Sequence, residues 1–252
     1  MGRVAGQVAI VTGGGSGLGL VDAELLATEG ARVVVSDVNG SAGEAAARKI
    51  GNGAVFFEHD VASEDQWRRL ISWTVSQFGR LDVLVNNAGI VILADPEETT
   101  LEQFRRANSI MSEGVFLGCK HAIPAMARIS GGSIINMAST ASHLGFPKLI
   151  AYSAAKGAVR SMTKSVAMHC QAKGYGIRCN SIHAGTIETP MVQFAQGRVG
   201  RPLDVAEGVL PAGAVGAPRD VANMVLFLAS NESRFITGAE FLIDNGLTVR
   251  TP

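Results

Sequence analysis

The sequence predicts an α/β fold in which a doubly wound, parallel sheet of seven strands carries helices on both faces. Short β-branched runs alternate with longer stretches of 3.6-residue apolar periodicity, the pattern of parallel strands joined by crossover helices. A glycine-rich turn, TGGGSGLG, joins the first such strand to the first such helix. No internal repeat or low-complexity linker divides the 252 residues, and an α/β chain of this length commonly folds as one domain, so 1–252 is read as a single unit.

Taken in order, the strands are QVAIVT, ARVVVSD, AVFFEHD, LDVLVNN, GSIINMAS, GIRCNSI and AEFLID. Between the first two, Leu18, Val21, Leu25 and Leu26 fall on one face of a helix that ends near Gly30, a residue type suited to a C-terminal cap. After Tyr152, a second clear helix carries the stripe Ala155, Val159, Met162 and Val166, spaced to pack on the sheet. The least regular stretch runs from Glu188 to about Ala217 and holds Pro190, Pro202 and Pro211 among scattered glycines. It is read as a flexible substrate lid over about 188–217, with a plain surface excursion as the alternative.

Composition narrows the partners. With 22 basic and 22 acidic residues the chain has no net field to gather nucleic acid or anionic lipid, so small molecules and further copies of itself are expected instead. The longest apolar runs, such as Val8 to Val11 and Val83 to Val85, fall far short of the ~20 residues of a membrane span, and no signal-peptide pattern opens the sequence. Cys119, Cys170 and Cys179 match no zinc or disulfide spacing, which suits buried thiols in a reduced, cytoplasmic setting. His59, His121, His143, His169 and His183 include no pair spaced four apart, so no metal site is expected.

The turn TGGGSGLG reads as a phosphate cradle. Gly13 permits the turn, and Gly17 and Gly19, with Ser16 and Leu18 between and beside them, let the backbone approach a pyrophosphate resting on the helix N-terminus. Asp37 ends the second strand, where a carboxylate accepts from adenosine ribose hydroxyls and repels a 2′-phosphate. Neither Ser16 nor Val38 supplies the positive charge such a phosphate would want, so NAD is expected over NADP. Asp60, followed by Val61, ends the third strand and is a candidate for the adenine amino group, or else a solvated acid.

On TGGGSGLG, the Asp37 strand end, NNAG at Asn86 to Gly89, Ser139, and YSAAK from Tyr152 to Lys156, in that order and spacing, the chain resembles a short-chain dehydrogenase/reductase of the compact, single-domain Rossmann type. GGSIINMAS, GIRCNSIH and TPMV are similar to bacterial hydroxysteroid and secondary-alcohol dehydrogenases of that family. The resemblance implies hydride transfer between a carbinol carbon and a nicotinamide, with Tyr152 as acid/base. A free tyrosine has a pKa of ~10, so a neighbouring cation must favour its phenolate; Lys156, four residues on and on the same helical face, supplies one. Ser139 is expected to bind the substrate oxygen. Asn87, Ala88 and Gly89 are expected to support the cofactor. Where the family usually has proline-glycine after the sixth strand this chain has Ala184 and Gly185; Ile187 and Thr189 keep the frame in which the nicotinamide amide or a phosphate is met. His143 either borders the substrate or faces solvent. Pairing of helices around 100–125 and 152–172 into a homotetramer is also implied.

One position departs. Counting from Phe116 and Ser139, the family's relay asparagine falls on Met111. The resemblance implies that this asparagine binds a water connecting Lys156 to solvent, and methionine has no donor for it. Asn108 is displaced ~4.5 Å along a regular helix and Ser112 is turned ~100° around it, so either needs a bulge to compensate. The expectation is an NAD-dependent oxidoreductase that interconverts a bulky cyclic, aromatic or steroid-like secondary alcohol and its ketone, slowed at the relay. The alternative is a catalytically weak nucleotide-binding protein with a regulatory or assembly role.

Overall fold

The computed structural model describes residues 2–201 and 214–249. Seven strands, β1 (Val8–Thr12), β2 (Arg32–Asp37), β3 (Val55–Glu58), β4 (Val83–Asn86), β5 (Gly132–Met137), β6 (Ile177–Ala184) and β7 (Glu240–Ile243), form one sheet in the order β3-β2-β1-β4-β5-β6-β7. Every neighbouring pair is parallel. Chain order reverses between β1 and β4, and such a switch opens a crevice at the strands' carboxyl ends.

The crossovers are helical: α1 (Gly17–Thr28), α2 (Gly40–Ile50), α3 (Glu64–Phe78), α4 (Leu101–Asn108), α5 (Gly114–Ala127), α6 (Ile150–Ala172), α7 (Pro190–Ala195) and α8 (Pro218–Ala229). Side-chain alternation along β1 sorts the two layers. Ala9 and Val11 join the core with Leu25 and Leu26 of α1 and Val225 of α8, whereas Ile10 joins the opposite core with Trp67 of α3, Leu117 of α5 and Val159 of α6. Both sequence stripes pack as read: Leu18 and Val21 flank the first core, Met162 and Val166 the second. Gly30 closes the α1 turn at φ 92°, a conformation costly for other residues.

Three features differ from the sequence reading. β3, β4 and β5 stop before Asp60, Asn87 and Ser139, so these residues sit just past the ladder, at the crevice. The helix before β5 is not continuous, because a π-helical turn over Ser109–Glu113 separates α4 from α5. The irregular stretch after Glu188 contains α7, started by the Thr189 side chain accepting from Val192 N and by Pro190 in the first turn. The part of the expected lid over 202–213, with Pro202 and Pro211, lies outside the described residues. No helix among the described residues is long and apolar enough to cross a membrane. Cys119, Cys170 and Cys179 are free and buried together in the second core.

Candidate active site

A cleft with about 340 Å³ of open volume runs across the carboxyl ends of the strands, from the glycine turn to Tyr152. At one end, Ser16 caps α1 without giving its side chain to any helical N–H, which leaves the first donors of the helix for an anion. Gly17 has φ 56°, and a Cβ there would stand in the gap between α1 and Thr189–Pro190, 3.8 Å from each. That empty gap fits a phosphate chain. Gly13, at φ 63°, cannot carry a Cβ without meeting Ala88 Cα at 2.9 Å. Gly19 also seats the helix against the turn, since a Cβ there would lie 2.4 Å from Gly13 O.

Asp37 accepts from Gly15 N at 3.0 Å and Asn39 N at 2.9 Å, which fixes its carboxylate at the rim beside Val38, itself 68% exposed. Asp60 accepts from Ala62 N at 2.9 Å through one oxygen. His59, which the sequence offered no reason to select, also lines this end; its Nδ1 meets Ser36 Oγ at 2.8 Å, and burial takes its pKa down to about 4. Asn86 ties β4 to β5 through Asn136 Oδ1 at 2.8 Å, and Asn87 ties β4 to β1 through Thr12 O at 2.9 Å. Ala88 and Gly89 then border the cleft. Among the described residues, Lys156 is the one lysine or arginine lining it, and it donates to Met137 O at the end of β5. The donor-rich helix start, the open glycine gap and the rim carboxylate together fit a dinucleotide.

At the other end, α6 brings Tyr152 and Lys156 over the end of β5. Lys156 is 4% exposed and donates to Met137 O at 2.6 Å; burial takes its pKa down to about 8. Its Nζ lies 5.7 Å from the Tyr152 ring centroid. Burial raises the Tyr152 phenol, and a hydrogen bond with Ser139 pulls it the other way. Ser139 Oγ accepts from Ala141 N at 3.2 Å and stands a long 3.5 Å from Ala184 O, which leaves its proton to the Tyr152 oxygen. Ala184, Gly185, Ile187 and Thr189 line the facing wall. Ile90, Ile110, Met191 and Val192, missed by the sequence reading, make the reactive end apolar.

Met111 is fully buried with Ala107, Ala151 and Ala155, against Tyr152, and packs under Gly89. The bulge that compensation requires is present, yet Asn108 turns away and donates to Phe104 O at 2.9 Å. His143 does not line the cleft. Its Nε2 lies 3.1 Å from His183 Nδ1 and 3.3 Å from Glu240 Oε2, so three ligand-type residues that sequence spacing did not connect meet in space. Arg160 and Lys164 both pair with Glu240, which closes the cluster as a hydrogen-bonded array.

The description "Enoyl-(Acyl carrier protein) reductase" belongs to the family that matches residues 13–248. A 3-beta-hydroxysteroid dehydrogenase of Comamonas testosteroni is 44% identical, with 97% of each chain covered. An NADP-dependent (R)-specific alcohol dehydrogenase of Lentilactobacillus kefiri is 42% identical over 98% of this chain and 99% of that one. The solved structure of a short-chain type dehydrogenase/reductase from Mycobacterium marinum superposes with a TM-score of 0.90 at 31% identity, covering 98% of both chains. Similarity of that extent, end to end, makes this chain a member of the short-chain dehydrogenase/reductase family.

Proposed function

We propose that the protein is an NAD-dependent oxidoreductase that interconverts a secondary alcohol and its ketone. The observation that carries this is the convergence of Ser139, Tyr152 and Lys156 on the cleft that also holds the glycine turn and Asp37. When bound, the nicotinamide would accept or give the hydride. Ser139, with its lone pair engaged by Ala141 N–H, is a donor for the substrate oxygen, and Tyr152 holds or takes the proton at that oxygen. Lys156, as an ammonium, favours the phenolate.

Asp37 and the exposed Val38 support NAD over NADP, since the rim offers a 2′-phosphate a carboxylate and, among the described residues, no lysine or arginine. Gly13, Ser16, Gly17, Leu18, Asp60, Val61, Asn87, Ala88, Gly89, Ile187 and Thr189, all at the cleft, are proposed as its further contacts. Ile90, Ile110, Met191 and Val192 favour a bulky, uncharged cyclic, aromatic or steroid-like carbinol. The described residues are proposed to act as one unit, with 188–201 and 214–217 as the described parts of the substrate lid. The apolar groove between α5 and α6, lined by Phe116, Ile123, Met162 and Val166, supports a homotetramer. Three free thiols suit a reduced, cytoplasmic setting.

Met111 packs apolar atoms against Tyr152 where the relay asparagine was expected, which supports a turnover slowed at proton exchange. This same observation favours the second reading, a nucleotide binder with negligible catalysis. Following NADH and NADPH absorbance with a panel of cyclic and aromatic ketones and alcohols separates them. Turnover with NADH at least ~10-fold over NADPH supports the first reading; binding of NADH without turnover of any member supports the second.

A further inference from the structure

The turn that carries Ser139 is held from behind by an imidazole that the proposed chemistry does not use. His183 lies fully buried on β6, one residue before Ala184. Its Nδ1 is 2.9 Å from Ser142 Oγ and 3.3 Å from the Ser139 carbonyl oxygen, and its Nε2 is 2.9 Å from Ser181 Oγ. The shortest contact decides where the protons are. Ser142 Oγ lies 2.6 Å from Ser139 O, which can only accept, so the single hydroxyl proton of Ser142 is committed there. Toward His183, Ser142 Oγ is left as an acceptor, which places the ring proton on Nδ1. Burial takes the His183 pKa down to about 4, so the neutral ring carries no second proton and Nε2 accepts from Ser181.

The surroundings are consistent with this tautomer. His143 Nε2 lies 3.1 Å from His183 Nδ1 and 3.3 Å from Glu240 Oε2; a carboxylate can only accept, so the His143 Nε2 proton goes to Glu240, and with the His183 Nδ1 proton turned to Ser142 the two rings meet at 69° with no hydrogen bond between them. Arg160 binds Glu240 Oε2 at 2.7 Å and reaches Ser142 O at 3.2 Å, gripping the turn from α6. The turn is thus held through its backbone oxygens, Ser139 O by Ser142 and His183 and Ser142 O by Arg160, while the Ser139 hydroxyl is left facing Tyr152 with only a long contact to Ala184 O. That is the state wanted of a group that must swing to a substrate oxygen without moving its main chain.

We propose that His183 is a positioning residue for Ser139: its Nδ1–H, donated to Ser142, sets the turn that aims the Ser139 hydroxyl at the carbinol oxygen. The inference rests on the alcohol and ketone reading above.

Its test combines spectroscopy with a matched set of variants. Nitrogen-15 imidazole NMR of the full chain should show His183 as the Nδ1–H tautomer, with the signal assigned by its loss in His183→Asn. An Nε2–H tautomer in an enzyme that turns over overturns the inference alone. His183→Asn, whose amide nitrogen falls near the Nδ1 position, should keep kcat within about threefold, while His183→Gln and His183→Leu lose at least ~10-fold in kcat with NADH binding and Tm unchanged. Equal losses in all three, or losses that track Tm, overturn it. Absence of turnover in the unmodified protein removes the alcohol and ketone reading, and the Ser139 role with it.

Discussion

At Met111 the chain tests how much one side chain governs proton traffic. The residue is fully buried among Ala107, Ala151 and Ala155, and its side chain has no donor to offer a water there. Met111→Asn should raise kcat by about one decade, the worth of one hydrogen bond to a charged group, as read by NADH turnover. The same change should lower Tm, since an amide placed among those alanines costs ~1–3 kcal/mol unless water enters with it. Unchanged kcat in a folded variant would show that protons leave by another path. Asn108 was named as a possible substitute and the π turn supplies the distortion it required, but the side chain is held by Phe104 O. Sequence gives the position of such a residue and not the rotamer its neighbours leave it.

Among the elements, α1 carries an unexplained burden. Asp22 is fully buried, neither carboxylate oxygen has a hydrogen-bond partner among the described residues, and burial holds its pKa well above the ordinary value. A raised folded pKa means that the folded state keeps a proton the unfolded chain releases above about pH 4, so its contribution is lost as pH rises toward the folded value. Asp22→Leu should therefore raise Tm, and the gain over the unmodified protein should be larger at pH 8 than at pH 5. A constant gain across that range would sink the account. The apolar stripe of α1 was legible because Leu18, Val21, Leu25 and Leu26 repeat at helical spacing, whereas a lone acid within that helix reads as solvent-facing until packing is seen. Similarly, β6 and its parallel partners were legible from β-branched runs, but the meeting of His143, His183 and Glu240 depends on three distant segments and leaves no local mark.

For the whole molecule, the paired burial of Tyr152 and Lys156 sets a direction for pH. Lys156 sits at about 8, and the pair sheds its first proton jointly near or below that point. Alcohol oxidation needs the deprotonated pair and should rise through pH 8; ketone reduction needs the protonated pair and should fall over the same interval, measured as kcat/KM. Parallel profiles in both directions would assign the titration elsewhere. The cleft itself was partly legible: glycine spacing and the strand-end Asp37 mark the nucleotide end, since both depend on local backbone. The apolar wall of Ile90, Ile110 and Met191 was not, because it is assembled from three separate connections.

The three buried thiols carry one practical consequence. Burial pushes Cys170 up to about 11, and a contact with Cys119 together with burial holds Cys179 well above its ordinary value, so neither is a thiolate near neutrality. An alkylating reagent then reacts only in moments when the second core comes apart, and its rate is a clock for global opening. A ligand that binds the intact cleft slows that clock in proportion to its occupancy, which makes the cysteines a built-in gauge of binding that needs no knowledge of the substrate.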